Sequence, residues 1–142
     1  MHRFVLLLAA TVTAAASAQP VRRSQLPLSH PLVGSWRIDL PDVDCYEVYD
    51  LHANGTSRVT SGDQDLETEF ELSSKPNGKG FYKWVDRVTK HNGKPDCMGD
   101  PIEDGQVSTN YILLLPSGTK FMMCAEEDPK TCIGPFVRQP GI

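Results

Sequence analysis

The chain has little of what enzymes and metal proteins are built from. Four histidines are spread over 142 residues. His30, His52 and His91 fall on an N-terminal arm, a strand and a loop, with no partner at metal-ligand or triad spacing. No pair among the four cysteines has Cys-x-x-Cys spacing, which argues against redox catalysis and a zinc site. Asp42-x-Asp44 and Asp63-x-Asp65 lie outside any EF-hand loop. No nucleophile elbow or acid pair is visible. No catalytic residue, metal or cofactor is therefore expected, and the chain reads as a non-enzyme. Basic residues are also scarce: 14 Lys and Arg stand against 18 Asp and Glu, a net charge of −4, which argues against nucleic acid as a partner. The one long apolar run, residues 4–15, is too short to span a membrane, and no segment shows a convincing helical period.

That apolar run has another reading. His2 and Arg3 precede it and Ala16-Ser17-Ala18 follows it, the pattern of a signal peptide over residues 1–18. No Cys stands at the cleavage site, so no lipid anchor is expected. An exported protein, periplasmic or secreted, is. Residues 19–31, rich in Pro, Ser and Arg, read as an extended arm with one short turn at 26–30, and residues 32–142 as a single domain.

Within that domain the period is two. Leu66, Thr68, Phe70 and Leu72 alternate with Glu67, Glu69 and Glu71, the mark of an antiparallel strand with one face in water. Strands are expected over 35–40, 45–51, 56–61, 66–72, 80–88, 106–115, 119–124 and 132–138. Turn signals separate them. Asn54-Gly55 is a hairpin signal that is also a glycosylation sequon with Thr56. Every connection but 89–104 is short, so sequential strands must be neighbours. The fold class is therefore all-β, a single eight-stranded antiparallel up-and-down barrel. A sandwich or jelly roll is the alternative, with 89–104 as its crossover.

Gly34-Ser35-Trp36 heads the first strand. Trp36, Ile38 and Leu40 share one face, and Arg37 and Asp39 the other. This Gly-x-Trp resembles the signature of the lipocalin (calycin) barrels, and the likeness is greatest to small exported bacterial lipocalin-like domains and compact barrel inhibitors of exported enzymes. The resemblance implies that Trp36 plugs one end of the barrel and that a late basic residue lies across it. Arg138 ends the last strand, which in such a barrel pairs with the first, so a cation–π stack of Arg138 on Trp36 is expected.

Following strand directions around the meander puts Cys45, Cys97, Cys124 and Cys132 at the end away from Trp36, the mouth. Two disulfides there are expected. Cys124 and Cys132 flank one loop and form the simplest pair, leaving Cys45 with Cys97; the other two pairings stay open. Phe81, Trp84, Tyr111, Phe121, Met122 and Met123 either line a ligand cavity or pack as core, with Trp84, Tyr111, Phe121 and Met123 the candidates for lining. A cavity of roughly 300 Å3 or more at the mouth would favour a small apolar or amphipathic ligand. The mouth loops are also acidic. Asp96, Asp100, Glu126, Glu127 and Asp128 either serve solubility or meet a basic exported protein, such as a cell-wall hydrolase. A monomer is expected.

Overall fold

Alternation along each strand decides which way the sheet curls. In β4 (Gln64–Leu72), Gln64, Leu66, Thr68, Phe70 and Leu72 are buried, whereas Glu67 and Glu71 are exposed. The same period runs through β1 (Gly34–Leu40) and β3 (Thr56–Ser61), while β2 (Cys45–Leu51) is half-buried along most of its length. In the computed structural model, which describes residues 21–141, these strands and β5 (Phe81–His91), β6 (Val107–Leu114), β7 (Lys120–Cys124) and β8 (Cys132–Arg138) close into one barrel in sequence order. Each pairs antiparallel with the next, and β8 returns to β1 through Trp36↔Arg138 and Arg37↔Val137. The only helical pieces among the described residues are single turns, Pro41–Val43 and Pro129–Thr131. No helix among them is long and apolar enough to cross a membrane. The leader read over residues 1–18 lies outside the described residues.

Two strands differ in extent from the sequence expectation. β4 starts at Gln64, because Gln64 is 4% exposed and its amide donates to the Lys94 carbonyl at 3.1 Å. β5 runs on to His91 because a register shift between Glu67 and Thr68 absorbs an extra residue: Thr68 faces Val88 but Glu67 faces Lys90.

One end of the barrel is filled. Trp36, Phe70, Phe121, Phe136 and Ile112 are fully buried there. Phe121 stacks on Phe136 with ring centroids 4.7 Å apart, and Trp36 meets Phe121 edge-on at the same distance. The arm folds under this end and seals it. Ser24 donates its N–H to the Phe70 carbonyl and Leu26 to the Ala53 carbonyl. Turns at 27–30 and 30–33 then bury His30 and Leu32. The Trp36 indole donates to the Leu32 carbonyl at 3.0 Å. Arg138 covers the plug, its guanidinium 4.3 Å from the centre of the Trp36 ring.

The two disulfides are Cys45–Cys97 and Cys124–Cys132. The second joins residues directly opposite each other in the β7–β8 ladder. The first fastens the long β5–β6 connection to the start of β2. Both are compatible with an oxidising compartment.

Candidate functional site

Inward positions change character with height. Near Trp36 they are aromatic and aliphatic. Toward the mouth the same phase carries Glu47 on β2, Ser61 on β3, Gln64 and Thr68 on β4, Asp86 on β5, and Ser108 and Asn110 on β6. The apolar half packs solid. The polar half does not, and a partly open cavity of about 170 Å3 remains there. Tyr49, Trp84, Val59, Leu66, Val88 and Met123 form its apolar wall. The long β5–β6 connection contributes Asp96 and Ile102. It is held across the rim by the Cys45–Cys97 bridge, by Cys97 N–H donating to Ser61 Oγ at 2.9 Å, and by the Gln64–Lys94 bond.

The electrostatics are one-sided. Three carboxyl groups, Glu47, Asp86 and Asp96, line the cavity, and no Lys, Arg or His does. Glu47 accepts from the Tyr49 hydroxyl at 3.3 Å. Burial pushes that hydroxyl well above its usual pKa, and the neighbouring Glu47 charge adds to the rise. Asp96 accepts the Met98 and Asp100 N–H groups, each at 2.9 Å. Asp86 has no hydrogen-bond or ion-pair partner among the described residues, and burial raises its carboxyl to a pKa of about 6. Trp84 is 3% exposed, and its indole N–H has no acceptor.

No family model matches the chain, and neither does any curated protein or solved structure. The site must be read from its own geometry.

Of the four aromatic and sulfur residues expected to line a cavity, Trp84 and Met123 do so. Phe121 instead belongs to the plug, packed on Trp36 and Phe136. Tyr111 is half-buried and not part of the lining, because the inward phase of β6 is that of Ser108, Asn110 and Ile112. The acids proposed for protein recognition differ in their local roles. Asp96 is turned to its own loop and the cavity. Glu127 accepts a hydrogen bond from Asn77 of the β4–β5 loop. Asp128 caps the Pro129–Thr131 turn by accepting the Lys130 N–H at 2.9 Å. Glu126 and Asp100 are exposed. At the rim His91 bonds Asp104, but no group of three or more His, Cys, Asp or Glu side chains among the described residues could hold a metal ion.

The polar lining was not foreseen. Its signal was present: Glu47 and Asp86 sit at even spacing from Tyr49 and Trp84, on the inward phase of strands whose outer face needed no further charge.

Proposed function

We propose that this is an exported, non-enzymatic binding protein that holds a small amphipathic molecule in the mouth half of a lipocalin-like barrel. The observation that carries the reading is the contrast between the two halves of the interior. A small barrel ordinarily fills itself with side chains. Here the closed half does so around Trp36, while the mouth half keeps a cavity of about 170 Å3 with a mixed polar and apolar lining, short of the roughly 300 Å3 expected from the sequence for a ligand pocket. An apolar cavity of about 150 Å3 takes benzene, so the fit is to a single ring with a short tail. That is well below the pocket of a carrier of long-chain lipids. The Arg138–Trp36 stack supports the lipocalin resemblance, and the two disulfides suit an exported protein.

Preorganisation also favours binding. The loop over the rim is cross-linked and hydrogen-bonded, so little chain entropy is lost when a ligand docks. Native mass spectrometry of protein isolated from its host tests the reading. A small non-covalent adduct that is lost on unfolding is expected. A bare mass, together with no thermal shift from any small molecule in a broad panel, overturns it.

A further inference from the structure

We propose that His30 is an acid-sensitive latch: protonation of its ring unfastens the turn of the arm that seals the closed end of the barrel and leaves the disulfide-braced mouth in place. His30 stands where the arm meets the plug. It is 5% exposed, and its ring meets Tyr82 of β5 edge-on with centroids 5.6 Å apart. Its Nδ1 accepts the Leu32 N–H at 3.2 Å. Leu32, fully buried, accepts the Trp36 indole N–H at its own carbonyl. The carbonyls on either side of it, those of Pro31 and Val33, are held by the Arg138 guanidinium. The His30 backbone closes the same two turns, donating to the Pro27 carbonyl and accepting from the Val33 N–H. Arm, plug and seam therefore meet around one imidazole.

These contacts require a neutral ring. An imidazole nitrogen accepts only while it carries no proton, and both nitrogens of the imidazolium are donors. Protonation sets Nδ1–H against the Leu32 N–H. It also buries an uncompensated charge. Among the described residues Nε2 has no hydrogen-bond partner, and no carboxylate lies within ion-pair reach of the ring. The titratable groups on the segments packed around it are Tyr82 on β5, Lys75 on the β4–β5 loop and Arg138 on β8, none an anion at neutral pH. Burial holds the His30 pKa below its ordinary value, and the nearby backbone of Ser74 and Ser73 offsets this only in part. A released His30 thus takes up a proton more readily than a latched one, so acid favours release. The latch is fully fastened above about pH 6.5 and weakens as pH falls below it.

NMR on the labelled, disulfide-intact protein reads the latch directly. The His30 ring should titrate below about 6.5. Hydrogen exchange, corrected for its intrinsic pH dependence, should show protection of the Leu32 N–H and the Trp36 indole N–H falling about tenfold between about pH 7 and about pH 5. The Cys97 N–H, which donates to Ser61 at the mouth, should keep its protection over the same range. In His30→Asn the amide oxygen can still accept the Leu32 N–H but takes up no proton, so the acid response should disappear. A ring that titrates at or above about 6.5 overturns the latch. So does unchanged protection at Leu32, an equal loss at Cys97, which would mark global unfolding, or an acid response that persists in His30→Asn. Should that variant fail to fold, the ring titration and the paired exchange rates of the parent still decide.

Discussion

Arg138 and Trp36 face each other across the β1–β8 seam, with the guanidinium 4.3 Å above the indole ring and donating to the carbonyls of Val33 and Pro31. One side chain thus closes the barrel, covers its plug and clamps the arm. Gly34 makes room for it. A Cβ there would stand 2.7 Å from Arg138 Nη1, and the Gly34 backbone has φ +135°, which other residues resist. Trp36→Ala should cost about 3–5 kcal/mol in urea unfolding, as for other buried aromatics. Arg138→Met should cost about 1–3 kcal/mol through the lost stack and hydrogen bonds. Gly34→Ala should be destabilising as well. A Trp36→Ala effect below about 1 kcal/mol would contradict the plug.

The two disulfides should differ in weight. Cys45–Cys97 closes a sequence separation of 52 residues and Cys124–Cys132 one of 8. Loop-closure entropy then predicts losses of about 4 and about 2–3 kcal/mol for the respective double Ala variants. Denaturant midpoints check the order. A non-reduced peptide map should show these two links and no free thiol. Larger destabilisation from the Cys124–Cys132 deletion would mean that native packing, not chain entropy, dominates.

Asp86 should make stability depend on pH in an unusual direction. Its folded pKa is raised to about 6, against about 3.9 in an unfolded chain. Between those values the unfolded state releases the proton first, so rising pH removes stability, and the loss is complete above about pH 6. Asp86→Asn should therefore be more stable than the parent at neutral pH, by on the order of 2–3 kcal/mol, with the difference vanishing below about pH 4. Paired unfolding curves across that window measure it. A variant no more stable at neutral pH would show that water already solvates the carboxylate.

The acids of the β7–β8 loop should separate into two kinds. Glu126 is exposed, and Glu126→Gln should leave the midpoint nearly unchanged. Asp128 holds the Lys130 N–H, and Asp128→Ala should cost about 0.5–2 kcal/mol as a lost cap. Thermal melts of the two single variants distinguish a charged surface from a structural one. Equal effects would remove the capping role.

Much of the barrel is legible because its physics is local. The eight strands and their short turns follow from period-two alternation and from Gly, Pro and Asn at the bends, as in Leu66–Leu72 and Asn54-Gly55. Once the connections are short the order of the sheet is forced, and so is the seam that brings Arg138 to Trp36, whereas strand direction gathers the four cysteines at one end and the structure selects Cys45 with Cys97 among three pairings. The bulge between Glu67 and Thr68 escaped, since nothing in β5 marks which residue will be unpaired.

The site lay further from view, because binding depends on height along the barrel and a linear period reports only face. Alternation places Glu47 and Asp86 inward but cannot say whether they meet packed rings or open space. That is decided by strand tilt and stagger, which slide neighbouring strands until Phe121 lands on Trp36 while Met123, two residues on, borders the cavity. The stagger also brings Glu127 against Asn77, two loops that strand direction alone assigns to opposite ends. Composition and periodicity by themselves determined an all-β chain of eight sequential strands with its cysteines at one end, and the plug at Trp36 was what the lipocalin resemblance implied. Only the closed tertiary structure decided which half of the interior stays open, because a cavity is the volume that side chains from many strands jointly fail to fill.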